Sequence, residues 1–338
     1  MLSSTSLHAH AFTELNEHVF RTKRLVSASA ASILVILNGR IVNESYCGYH
    51  DHPEDSRPID AESRFNVASI RKTYLGLAVS LALYEGKIKS INDYIVEYLD
   101  GLDPAVFGST TIRHLLTHTH GLQGSHQRIF APGTNWKYNN AGVNLLIKLI
   151  HNVFGQPLSH VLEDQVLNPY GFKETGWEKQ KTEKLVWLNE SYPGDQGGEA
   201  NLFVSTRELA YWGYLHMKKG RIRERQALPA SIFEQAVSIA TPAGLDDSLP
   251  RNGFFWWVQD RPRPASEMGS RLPVGSFQSL GLYGNAVVVI PEYDAVAVRM
   301  LNQTGPNPPG FDYLQDIQSF GNAVCSAIIK YRSMELGT

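Results

Sequence analysis

The apolar runs richest in β-branched residues stand at opposite ends of this 338-residue chain. Ile33 to Leu37 lies near the start; Ala286 to Ile290 and Ala295 to Leu301 lie near the finish. Between them the pattern is mostly helical. A chain written this way must bring its ends together in one sheet and carry its middle as an insert. Asn38-Gly39 joins Ile33 to Leu37 to a second run, Arg40 to Tyr46, and Asn-Gly between two such runs is a strong hairpin signal. Pro291-Glu-Tyr-Asp294 joins the two late strands.

Helical periodicity marks both termini. Residues 11 to 28 place Leu15, Val19 and Phe20 on one side, and Phe311 to Arg332 places Leu314, Ile317, Phe320, Val324 and Ile328 on one face. In the middle, Ser69 to Glu85 reads as a helix stopped by Gly86, with Leu77, Ala78, Leu81 and Tyr84 as its apolar face. Thr111 to Thr117 and Asn140 to Phe154 follow, then Pro157 to Leu167, which Asn168-Pro169 should end. Ser205-Thr-Arg-Glu208 is a capping box opening a helix to Lys219, and Pro229 to Val237 is a short helix. Residues 50 to 62, with Pro53 and Pro58, read as loop, as do 178 to 201 and 260 to 275. No repeat or long linker interrupts the pattern. The expected fold is α+β: an antiparallel sheet flanked by N- and C-terminal helices, with an all-helical insert. Residues 1–338 form a single domain in which 1–65 and 200–338 make the α/β part and 66–199 the helical part.

Charge and composition narrow the partners. A net charge of -2 leaves no basic stripe for nucleic acid. No run approaches the roughly 18 apolar residues of a membrane span. Met1 to Ser6 lacks the basic start of an export signal, and the two cysteines, Cys47 and Cys325, are too few for a disulfide framework. The expectation is a cytoplasmic chain acting on a small molecule, with no nucleic-acid or membrane partner and no set oligomeric state.

Three short segments carry chemistry. In Ser69-Ile70-Arg71-Lys72 the serine begins a helix and the lysine lies one turn on, so both side chains share a face. The helix N-terminus offers unpaired N–H groups and a field that favours a developing alkoxide. A lysine there can take the hydroxyl proton if burial lowers its pKa. A helix cap followed by a surface lysine has the same spelling. Tyr138-Asn139-Asn140 follows Pro132-Gly133 and stands before an apolar helix; alone, Tyr138 could be a buried aromatic and Asn140 an N-cap. Gly281-Leu282-Tyr283-Gly284 precedes a strand, where glycine lets a substrate backbone or an acyl oxygen come close, or marks a bulge in an edge strand. His114 and His118 at i, i+4, with His120, could hold zinc, but no acidic third ligand is evident, and no metal is expected.

Taken in order, Ser-x-x-Lys, Tyr-x-Asn and the Gly-containing strand resemble the penicillin-recognising serine enzymes. The match is closest to the class C β-lactamase-like esterases and amidases of the family VIII carboxylesterase type. Phe65 to Ala68, Thr111 to Gly121, Pro132-Gly133, Ser205-Thr206 and Pro291-Glu292 stand where that family has its supporting segments, so the resemblance runs from about Asn38 to Asn302. It implies Ser69 as nucleophile, with Lys72 and Tyr138 managing its proton and Tyr138 passing it to the leaving group. It implies Asn140 holding Lys72 or the acyl side chain, an oxyanion hole from the N–H groups of Ser69 and Leu282, and no cofactor. One departure stands out. Where the family has Lys or His, then Thr or Ser, then Gly, this chain reads Ser279-Leu280-Gly281. Ser279 and Gly281 would touch substrate, but the cation that grips a β-lactam carboxylate is missing. The expectation is therefore an ester or amide hydrolase, with an aromatic wall from Trp136, Phe254, Phe255, Trp256 and Trp257 or those residues as core. A β-lactamase or D,D-peptidase, an acyltransferase of the same fold, and an inactive binding module are the alternatives.

Overall fold

The computed structural model describes residues 3–4, 9–52, 56–124, 127–189 and 200–336. Its main sheet has seven strands: β1 (Ser3–Ser4), β2 (Ala30–Leu37), β3 (Arg40–Gly48), β4 (Trp257–Val258), β5 (Phe277–Gly281), β6 (Asn285–Ile290) and β7 (Ala295–Leu301). Their order is β1-β3-β2-β7-β6-β5-β4. Every neighbouring pair is antiparallel except β1 on β3. The two ends of the chain meet at β2 and β7, with Leu34 opposite Val298 and Leu37 opposite Ala295. Asn38 and Gly39 both take positive φ, 48° and 72°, as a two-residue hairpin of primed type requires.

β2 and β7 are buried along their whole length, because both faces of the sheet are covered. Alternate residues go to separate cores. Ile33, Val35 and Leu37 pack with Leu15 and Val19 of α1 (Thr13–Leu25) and with the C-terminal helix. Leu34 and Ile36 face the other way, into the core that holds the helical part.

α2 (Arg71–Tyr84) differs from the one-faced helix its periodicity suggests. It is buried all round from Arg71 to Ala82, and Tyr84, expected on the apolar face, is 60% exposed. A helix enclosed on every side must satisfy its polar groups internally. Thr73 Oγ1 donates to the Ile70 carbonyl and accepts from Trp212 Nε1, and Ser80 Oγ donates to the Ile232 carbonyl. Ile232 comes from Ala230–Val237, so the stretch assigned to the α/β part also covers the buried helix.

α3 (Ala141–Phe154) matches its sequence signal, ending on Gly155 in the left-handed conformation. The helix at Leu158 does not stop at Asn168-Pro169. It passes through a π turn at Glu163–Leu167 and runs on to Tyr170, because a proline in the first turn of the new segment needs no donor. α4 (Thr206–Met217) is capped by Ser205 Oγ, which accepts from the Glu208 N–H. The reciprocal half of the box is replaced: the Glu208 carboxylate accepts from Lys173 N–H, Glu174 N–H and Thr175 Oγ1. α5 (Tyr313–Leu336) closes the chain.

A small second sheet leads into the Ser69 turn. Its order is Thr175–Trp177, Leu202–Ser205, Arg64–Asn66, Leu185–Val186. Leu185–Val186 is a strand inside the stretch read as loop, while 190–199 of that stretch lie outside the described residues. So do Pro53 of the 50–62 loop and all but Ser3 and Ser4 of Met1 to Ser6. Among the described residues no helix is long and apolar enough to cross a membrane.

α4 lies tightly on the sheet. A Cβ on Gly213 would meet Val296 Cγ1 at 2.9 Å and Val287 and Val289 at 3.1 Å. Overpacking at such a contact costs about 1–3 kcal/mol. Gly213→Val is expected to lower the unfolding free energy by that amount in urea denaturation, and an unchanged midpoint would mean the helix can lift off the sheet freely.

Candidate active site

Asn66 ends the small sheet, and its side chain makes the turn that follows. Asn66 Oδ1 accepts from the Ala68 N–H at 2.9 Å, and Ala68 sits at φ +48°. A non-glycine residue in this region is strained and is held there by its surroundings. Ser69 follows within a 3₁₀ turn, Ala68–Ile70, that leads directly into α2. Ser69 thus stands just ahead of the α-helix, not on its first turn.

Lys72, one turn on, is only 2% exposed. Its Nζ donates to Ser69 Oγ at 2.7 Å and to Tyr138 Oη, while Tyr138 Oη donates to Ser69 Oγ at 2.6 Å. The three side chains close a triangle across segments far apart in sequence. Tyr138 itself is 37% exposed and forms the open side of the site.

The Tyr138 turn is held from behind by the 117–121 segment. Lys137 N–H donates to the His118 carbonyl at 3.0 Å, and Gly133 N–H to the Thr119 carbonyl at 2.8 Å. The His118 ring packs on the Tyr138 ring with centroids 4.6 Å apart, and Trp257 stacks at 6.3 Å from Tyr138. Phe254, Phe255, Trp256 and Trp257 are buried, so these aromatics serve as core, with Trp257 reaching the tyrosine. Trp136 is half-buried and donates from Nε1 to Asn252.

The three histidines have separate tasks. His114 Nδ1 accepts from the Thr111 N–H, and His120 Nδ1 accepts from the Leu122 N–H. Burial, aided by nearby arginine charge, lowers the His114 and His120 rings to about 4. His118 is pushed well below its ordinary range by burial and then by the Lys72 charge, so it stands beside the triangle as a neutral ring. Among the described residues no group of three or more His, Cys, Asp or Glu side chains is placed to hold a metal ion.

Asn139 and Asn140 divide their work unexpectedly. The helix cap comes from Asn139, whose Oδ1 accepts from the Ala141 N–H at 2.7 Å. Asn140 makes no cap, and its buried Oδ1 has no hydrogen-bond partner among the described residues. Ser279 is buried on β5, with its Oγ also unpartnered. Gly281 serves a contact between backbones: a Cβ there would fall 2.3 Å from the Val67 carbonyl oxygen. Leu282, just beyond, is 62% exposed, and Tyr283 takes φ +74°. Asn285 was missed in the sequence. It is buried, with Nδ2 donating to the Asn66 carbonyl at 2.8 Å, and only its place after a glycine-rich turn hints at a special task.

A family model described as Beta-lactamase matches residues 21–320. An uncharacterized protein of Alkalihalophilus pseudofirmus is 40% identical over 333 residues, 95% of this chain and 98% of that one. Esterase EstB of Burkholderia gladioli is 27% identical over 211 residues, 50% of this chain and 52% of its own length. Among solved structures, a class C beta-lactamase in complex with cefoxitin shares the fold with TM-score 0.76 and 15% identity, covering 94% of this chain and 99% of that one.

The neutral state of His118 has a thermodynamic signature. Below its ordinary value of 6.5 the unfolded chain takes up a proton there and the folded chain does not. Stability therefore falls as pH drops below 6.5, at about 1.4 kcal/mol per pH unit for one group. In His118→Phe the pH slope of unfolding free energy is expected to be shallower by that amount. Equal slopes in parent and variant would show that the folded chain protonates His118 normally.

Proposed function

The chain belongs to the beta-lactamase family, and from that membership we propose that it is a serine hydrolase acting on an ester or amide through an acyl-enzyme on Ser69. The observation that carries this reading is the closed triangle of Ser69 Oγ, Lys72 Nζ and Tyr138 Oη. A hydroxyl held by two proton-carrying groups, on a half-buried turn open on the tyrosine side, is the arrangement an activated nucleophile needs.

In the proposed reaction Ser69 Oγ attacks the carbonyl carbon as its proton passes into the Lys72–Tyr138 pair. The scheme assigns that proton to the pair and not to one member of it. The N–H groups of Ser69 and Leu282 hold the oxyanion; one such donor is worth about two to three powers of ten in rate. Collapse breaks the bond to the leaving oxygen or nitrogen, which takes its proton from Tyr138. A water then attacks the acyl carbon and loses its proton to the same pair; the bond from that carbon to Ser69 Oγ breaks, the pair returns the proton to Oγ, and the acid leaves. The orphaned Asn140 Oδ1 supports a role for Asn140 in accepting a substrate N–H.

The substrate reading rests on Ser279. A buried hydroxyl stands where the family has a cation, and losing a charged contact to a carboxylate costs a few kcal/mol of binding. That favours a substrate without the β-lactam carboxylate, and the esterase relative supports an ester. A cytoplasmic setting belongs to the same proposal, supported by two unpaired cysteines, Cys47 and the buried Cys325.

A short-chain p-nitrophenyl ester and a chromogenic cephalosporin, each assayed with parent, Ser69→Ala and Tyr138→Phe, test this. Ester turnover is expected to fall by several powers of ten in Ser69→Ala and by about 10²–10⁴ in Tyr138→Phe, with little cephalosporin turnover in any of them. Cephalosporin turnover faster than ester turnover would reverse the substrate reading. Ester turnover that survives Ser69→Ala would end the mechanism.

A further inference from the structure

The proposed oxyanion hole joins two amides from distant parts of the chain, Ser69 in the turn after the small sheet and Leu282 in the turn after β5. Their separation has to be held to within a few tenths of an ångström, because a donor displaced by about 1 Å forfeits about two powers of ten in rate. Side-chain packing cannot hold Leu282, which is 62% exposed.

A hydrogen-bonded clamp does hold it. Asn285, fully buried, donates from Nδ2 to the Asn66 carbonyl at 2.8 Å and to the Leu282 carbonyl at 3.3 Å. Its Oδ1 accepts from the Leu301 N–H at 2.9 Å, which anchors the clamp to β7 at the middle of the main sheet. The Asn66 it grips is the residue whose own Oδ1 fixes Ala68, one position before Ser69. One amide side chain thus touches the residue that shapes the nucleophile turn, the residue that carries the second donor, and the sheet. At the same place Gly281 lies against the Val67 carbonyl, a backbone contact that bears on the same gap as the clamp.

We propose that Asn285 is a positioning residue that sets the spacing of the Ser69 and Leu282 N–H donors. This rests on the reading of the site as a serine hydrolase. Asn285 touches neither substrate nor nucleophile, and it acts through the two backbones it ties together.

Two variants read the gap independently. Asn285→Ser removes the long reach to Asn66 and Leu282. Gly281→Ala keeps Asn285 and wedges a methyl against Val67. Each is measured for ester kcat and KM, for inhibition by an alkylboronic acid that forms a tetrahedral adduct on Ser69, and for thermal unfolding. A loose gap weakens only what binds the oxyanion. Both variants are expected to lose about 10- to 100-fold in kcat with KM within about threefold, and to lose boronate affinity by the same factor as kcat. A folded Asn285→Ser or Gly281→Ala chain with parental kcat and boronate affinity would overturn the proposal. So would a rise in KM at unchanged kcat. A parent chain without Ser69-dependent ester turnover would overturn the proposed function itself, which separates the two failures.

Discussion

The requirement that everything else answers is the burial of the Lys72 amine. An amine taken out of water forfeits its hydration, and the effective cost is several kcal/mol unless hydrogen-bond partners replace it. Here the partners include two hydroxyls, Ser69 Oγ and Tyr138 Oη, one of them from a distant turn. That turn must be immobile if the amine is to stay satisfied. The packing of His118 and Trp257 on Tyr138, the Asn139 cap and the backbone bonds from 118 and 119 all immobilise it.

A second buried charge does comparable work for the other half of the site. Arg299, on β7, pairs with Asp316 of α5 at 2.8 Å, and its Nε donates to the Gly284 carbonyl at 2.8 Å. Asp316 also accepts from Thr22 of α1. The terminal helices are therefore wired through one guanidinium to the end of the turn that carries Leu282. A buried pair is weak evidence for net stability. Its value here is geometric: Nε and Nη2 of one rigid fork tie the Gly284 turn and α5 to β7.

What the sequence made legible was whatever short-range pattern decides. The Asn38-Gly39 hairpin, the late strands and the terminal helices follow from periodicity and turn chemistry, and the family likeness pointed to the motifs that meet in the triangle. What escaped depends on contacts between segments far apart. Periodicity gave α2 one apolar face, yet the tertiary structure encloses the whole helix and leaves Tyr84 outside. Leu185–Val186 is too short to signal a strand and becomes one only by pairing beside Arg64–Asn66. Asn140 had the better claim to the helix cap by position, but Asn139 makes it. Glu208 has the spelling of a capping box and spends its carboxylate on the 173–175 segment. Asn285 carries no motif at all, since its task is defined only by a carbonyl more than half the chain away.

The pairing of β2 with β7 has a bearing on how this molecule comes into being. β2 is synthesised long before its central partner β7. As the chain leaves the ribosome, Ser69, Lys72 and Tyr138 emerge long before the strand that anchors Leu282. An early apolar strand with no partner on that side is the kind of exposed edge that chaperones shield. Closing so long a loop is also a slow entropic step. The order of synthesis thus delays assembly of the complete centre until β7 has been made.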